Sequence, residues 1–200
     1  MANETTTRPS TTGASSMVDA VYSSAARSFH WWSAAIVLIL LPLGFLMTYE
    51  GPAFKLSEVV SGRMIATHKL LGFVLLWLVV ARLIYRFRKG APASEPTLEP
   101  WEKGVSHATH WTLYALLLAM PISGWIGTSL YGERDLFGPF RIPAITAVDQ
   151  PLSDKVFEWH FRGAVLIMLL LAAHIGAALY HHYLRKDGVL RRMLPNIRRS

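Results

Sequence analysis

Cysteine is absent from all 200 residues, which excludes disulfides, thiolate metal sites, thiol nucleophiles and any cofactor bonded through a Cys-X-X-Cys-His attachment. Charge is scarce too. Charged residues make up 16% of the chain against 52% hydrophobic, and mean hydropathy is +0.31. Such a chain is too apolar for an ordinary soluble domain and fits a small, single-domain membrane protein. Acidic residues are outnumbered 13 to 20, giving a formal charge of +7 and a pI near 9.9. The basic residues flank apolar segments instead of lining a polar helix face, so they read as a membrane-topology signal and not as a nucleic-acid surface. Residues 1–25 are rich in Thr, Ser and Ala and read as a disordered tail. They lack the charged start and apolar run of a secretory signal peptide. The first apolar segment has full spanning length and no small-residue cleavage site, so it is expected to stay in the mature protein.

What the chain does contain is long apolar runs. Four segments, 29–49, 65–85, 105–130 and 156–183, reach the roughly 20 residues that a bilayer core requires. Trp31, Trp32 and Tyr49 fall at the ends of the first, as interfacial aromatics do. Lys69 and Arg82 lie near the ends of the second, where long stems can snorkel to the headgroups. Pro121 is expected to kink the third. The reading is an all-α membrane protein, a four-transmembrane-helix bundle over 26–195 followed by a basic tail at 196–200, without internal repeats. Thirteen Lys and Arg fall in the tail, second loop and carboxyl end, against seven on the opposite side. The positive-inside rule then places both termini in the cytoplasm.

The fourth segment, VFEWHFRGAVLIMLLLAAHIGAALYHHY, carries His160, His174, His181 and His182. On a helix, the step from His160 to His174 covers about 21 Å and returns to within roughly 40° of the same face. Ionisable groups inside a span are costly and usually mark a function. The orientation sorts the histidines into two layers. His30, His107, His110, His174, His181 and His182 fall toward the cytoplasmic side; His68 and His160 fall on the outer side. His107, His181 and His182 lie near the inner interface, where an imidazole needs no function, whereas an idle His174 well inside a span would cost free energy for nothing.

Neutral imidazole ligates zinc, copper, nickel and haem iron and carries protons near neutral pH. A small-ion site needs three or four converging ligands, and the outer layer offers two histidines with Glu158 nearby. Two imidazoles on different helices, facing each other across a flat macrocycle, are what a six-coordinate b-type haem needs. Gly72 and the small residues around His174 leave width between helices, although they also serve plain helix packing.

The motifs SFHW (28–31), ATHKLLG (66–72), HATH (107–110), EWH followed fourteen residues later by AAH, and HHYLRKDGVLRRMLP (181–195) together resemble the bacterial four-helix di-haem cytochrome b561 family over nearly the whole chain. Within that family the likeness is to members that oxidise superoxide and reduce ubiquinone. The resemblance implies a multi-pass protein of the bacterial inner membrane with two non-covalent b-type haems. Their axial ligands would be His30 with His174 for the inner haem and His68 with His160 for the outer one. It also implies a ubiquinone pocket beside the inner haem, lined by His110 and His181, with Ser28, Trp31 and Lys103 as neighbours. Arg63, Lys69 and Arg162, within a turn or two of the outer pair, would steer superoxide or contact haem propionates. Two alternatives stay open. One is a membrane cytochrome subunit carrying electrons between a partner dehydrogenase or hydrogenase and quinone. In that case the loop bearing Tyr131, Phe137, Phe140, Ile142, Pro143 and Ile145 would dock the partner. The other is a haem-free four-helix transporter.

Overall fold

The computed structural model describes residues 21–48 and 57–194. Most of the tail 1–25, Tyr49, Lys55 and the basic tail 196–200 lie outside them. Among the described residues the architecture is four helices in series: α1 (Ser24–Thr48), α2 (Glu58–Lys89), α3 (Pro100–Tyr131) and α4 (Gln150–Tyr180), with a π-helical turn, His181–Arg185, closing the last. All four are long and apolar enough to cross a membrane. Apart from Tyr49, they contain the four expected spans up to residue 180, and each begins several residues before its span.

Local chemistry sets most of the ends. Ser57 caps α2 by accepting from the Val60 amide, Glu58 occupies its first turn, and Arg86, Arg88 and Lys89 occupy its last. This charge order complements the helix dipole at both ends. At the start of α3 the Glu102 carboxylate accepts from the Glu99 amide at 2.8 Å, ahead of a proline at the first position. Gly132 ends the same helix at φ 96°, a conformation that favours glycine. Asp149 caps α4 through the Leu152 amide at 3.0 Å.

Close packing runs between neighbours in sequence, α1 on α2, α2 on α3 and α3 on α4. Helix α4 is reached from α1 and α2 by rings: His30 to His174, Phe45 to Phe161 and His68 to His160. The buried core is Val37, Leu40, Leu75, Val79 and Ile167. Its position follows from the sequence. Ile167 lies seven residues from both His160 and His174, Leu75 seven from His68, and Val37 seven from His30. Seven residues are close to two helical turns, so each core residue shares a face with its histidine. One apolar layer therefore separates two layers of imidazole. Outside the core, Leu38, Trp77 and Leu169 are more than half exposed, as side chains facing lipid are.

Each end of the bundle is covered. At the loop end, the 132–149 segment is held by Trp125 Nε1 donating to the Pro143 carbonyl at 2.8 Å and by Lys69 Nζ donating to the Glu133 and Asp135 carbonyls at 2.9 and 3.3 Å. Ile142 packs inward and is 5% exposed. At the terminal end, the carboxyl segment folds back over the helices. Trp31 Nε1 donates to the Met193 carbonyl at 2.8 Å, Arg192 donates to the Ala93 carbonyl at 2.5 Å, and Arg185 pairs with Glu102 at 2.5 Å.

Candidate functional site

Four of the sequence-predicted histidines meet in two pairs. The His68 and His160 rings have centres 6.2 Å apart, and the His30 and His174 rings 6.3 Å. Two imidazoles sharing a metal ion through bonds of about 2.0–2.1 Å hold their ring centres on the order of 6 Å apart. Both pairs have that spacing, and each joins α4 to a different helix. Among the described residues no group of three or more His, Asp or Glu converges as a small-ion site. The donor set is thus two imidazoles per layer.

The loop-end pair lies in a cavity of about 460 Å³ whose wall includes Gly44, Phe45, Gly124, Phe161 and Ile167. Mostly apolar walls with a few placed polar groups are the usual make-up of a cofactor pocket. Glycines admit both rings. A Cβ on Gly44 would stand 3.2 Å from His68 Cε1, and one on Gly124 would stand 3.3 Å from His160 Cε1. The tautomer of His160 follows from its neighbours. Ser123 Oγ donates to the Met120 carbonyl at 2.8 Å and lies 2.9 Å from His160 Nδ1, so with its proton committed it accepts from that nitrogen. Nδ1 then carries the hydrogen, and Nε2 keeps a lone pair for a metal. His68 Nδ1 is buried near the Leu40 carbonyl but outside hydrogen-bond geometry.

At the terminal end, Arg82 departs from the sequence expectation. It does not snorkel outward. Its Nη2 lies 3.1 Å from His30 Nδ1 and its guanidinium stacks 5.0 Å from the Tyr114 ring. Guanidinium only donates, so His30 Nδ1 accepts in this arrangement. His110 packs its ring 5.3 Å from that of His174, and Ser106 Oγ is 3.4 Å from its Nδ1. The structure therefore places His110 against the terminal-end pair. His181 sits apart from it, buried on the π turn and bonded to Asp187. His107 is exposed, and His182 has a buried Nδ1 without a partner. Trp31 is spent on the Met193 carbonyl.

The three cations expected near the loop-end pair differ. Lys69 lines the cavity, tied to loop carbonyls. Arg162 is ion-paired with Glu158 and lies over Trp159, which removes it as an unpaired cation. Arg63 is exposed. Sequence reasoning missed Gly44, Gly124, Ser123 and the inward turn of Arg82. A signal existed for three of them: PLG at 42–44 and PISG at 121–124 each put a proline and then a glycine inside an apolar helix.

Residues 21–196 match the family model described as prokaryotic cytochrome b561. The chain is 33% identical over 178 residues to cytochrome b561 homolog 2 of Escherichia coli (strain K12), covering 86% of this chain and 90% of that protein. It is 30% identical over 127 residues to the probable superoxide oxidase CybB of Yersinia pestis, covering 64% and 72%. It is 28% identical over 176 residues to cytochrome b562 of Cereibacter sphaeroides, covering 86% and 94%.

Proposed function

Because the chain belongs to the prokaryotic cytochrome b561 family of haem-b membrane proteins, we propose that it holds two b-type haems and uses them to oxidise superoxide and reduce ubiquinone. The observation that carries the ligand assignment is the spacing of the pairs. His68 with His160 would hold the haem at the loop end, and His30 with His174 the haem at the terminal end. Haem iron bound between two imidazoles supplies one-electron transfer.

The chain's own residues supply the rest. Ser123 and the Met120 carbonyl keep the proton of His160 on Nδ1, which orients the ring and strengthens Nε2 as a donor. If His30 held the group through Nε2, its ring proton would sit on Nδ1, and the Arg82 guanidinium would be free to pair with a haem carboxylate. Lys69, on the wall of the loop-end cavity, puts positive charge beside the pair and would raise the local concentration of a small anion, with Arg63 exposed five residues before His68 on the same helix. Arg162 adds little to this, since Glu158 neutralises it. Superoxide gives one electron at a time while a quinone takes two, so two sites joined by α4 match donor to acceptor. Ubiquinone is assigned to the cytoplasmic, terminal end beside His110 and His181, where imidazoles can exchange its protons.

The exposed aromatics of the 132–149 segment, Phe137 at 42% and Phe140 at 70%, favour a second reading in which a partner dehydrogenase docks there and delivers electrons. One experiment separates the two. Purified holoprotein, without other subunits, is mixed with superoxide in a stopped-flow spectrometer, with superoxide dismutase as the control. Haem reduction that slows as ionic strength rises, followed by reoxidation on adding ubiquinone, is the expected result. Haems that dithionite reduces but superoxide leaves oxidised would favour the docked partner.

A further inference from the structure

His181 belongs to a buried pair outside the two ligand layers. Its Nδ1 lies 2.6 Å from Asp187 Oδ2, and only 11% of its side chain and 4% of that of Asp187 are exposed. The pair is braced on several sides. The Asp187 amide donates to the His181 carbonyl at 3.2 Å, the Val189 amide donates to Asp187 Oδ1 at 3.1 Å, and Arg185 Nε stands 4.0 Å from Oδ2. Arg185 is itself held by Glu102 and by the Thr97 carbonyl. The chain reversal behind this runs through the π-helical turn and Lys186 at φ 55°, a backbone region that non-glycine residues seldom adopt. Isolated π turns of this kind recur at functional sites.

The chemistry of the pair is constrained. Burial alone would push the Asp187 carboxyl up, but the hydrogen bonds from His181 and the Val189 amide, with the charge of Arg185, outweigh it and hold the carboxyl below the usual range. An ionised carboxylate only accepts, so His181 Nδ1 carries a proton whatever the state of the other nitrogen. Proton exchange by this imidazole is therefore confined to Nε2.

We propose that Asp187 is the positioning residue for proton delivery to the quinone, fixing His181 so that Nε2 alone gives a proton to a quinone oxygen; this rests on the quinone assignment made above. Each quinone takes two electrons, which bound haem would supply, and two protons on its oxygens. For each proton delivered through the dyad, the imidazolium loses its Nε2 hydrogen, remains as the Nδ1–H imidazole on Asp187, and is reprotonated from water. Neither the ring nor the carboxylate has to turn. Asn at 187 keeps the shape but offers Nδ1 an N–H as readily as an oxygen, so the ring is no longer held in one tautomer.

The test uses full-length holoprotein with its haems reduced by dithionite, mixed anaerobically with a short-chain ubiquinone, with haem reoxidation followed optically. Asp187→Asn should retain both haem spectra and reoxidise about 10-fold or more slowly, with Asp187→Glu recovering much of the rate. The double variant Asp187→Asn/His181→Ala should be no slower than His181→Ala alone, since residues acting as a unit are not additive. Wild-type reoxidation should also slow by about two-fold in D2O, an arm that needs no variant. Asp187→Asn at the wild-type rate, a double variant slower by the full Asp187→Asn factor, or a wild-type rate indifferent to D2O would each overturn the role of Asp187 while leaving the quinone site in place. Wild-type haems that ubiquinone fails to reoxidise would remove the quinone site itself, and the dyad's role with it.

Discussion

His174→Ala is expected to yield a folded protein that has lost one of the two proposed haems, the survivor being the one at the loop end. His174 is half of the terminal-end pair, 6.3 Å from His30 between ring centres, and alanine leaves no donor from α4 at that height. The loss should stay local. Ile167, Leu75 and Val37 form a buried apolar layer two turns from each histidine, and the loop-end pair has its own supports in Ser123 and Gly124. Haem content per polypeptide should therefore fall by about half, and the remaining spectrum should stay that of a six-coordinate, low-spin haem. His160→Ala should give the mirror result. His110, 5.3 Å from the His174 ring, is the group able to replace it as a ligand, and adding His110→Ala to the variant checks that route. Loss of both haems from either single variant would contradict two independent sites on one helix.

Gly124→Val is expected to remove the loop-end haem without touching a ligand. The first carbon of any side chain there would stand 3.3 Å from His160 Cε1, and valine places two further methyls beyond it. The ring cannot retreat freely, because Ser123 Oγ holds its Nδ1 at 2.9 Å from the same stretch of α3. Overpacking of this kind typically costs about 1–3 kcal/mol, and here it falls on the orientation of a ligand, so affinity for that haem should drop by roughly 10–100-fold. Gly44→Val should act likewise through His68, whose Cε1 would be 3.2 Å from the new carbon. Haem release to an apo-globin acceptor measures both. A Gly124→Val protein that keeps both haems as tightly as wild type would show that the glycine serves only helix packing.

The bundle and its two layers were legible because hydropathy and histidine spacing are local properties of the chain. A fourteen-residue interval on one helix fixes height and face, and it does not depend on what the other helices do. The supports were harder to read. Ser123 reaches His160 from another helix, and only the fold reveals that its hydroxyl is already committed to Met120. Arg82 and Lys69 both sit near span ends, where snorkelling and inward pairing look identical in sequence. Tyr114 and His30 draw Arg82 inward, and loop carbonyls hold Lys69. The Glu158–Arg162 pair was readable as an i, i+4 contact, and it changes the electrostatics expected of Arg162. At the carboxyl end, no glycine or proline marks the change from α to π helix within HHYLR. The turn is set by Asp187 closing back on His181, a contact six residues apart that helical periodicity does not anticipate.

With one axial ligand on α4 for each of two haems, the purified protein should hold two b-type haems per polypeptide. The measurement is the ratio of b-type haem to polypeptide, taken with low-temperature electron paramagnetic resonance of the oxidised sample. A ratio of two and low-spin signals from two bis-histidine centres are the expected result. A ratio of one, or a second centre that is high-spin, would contradict it.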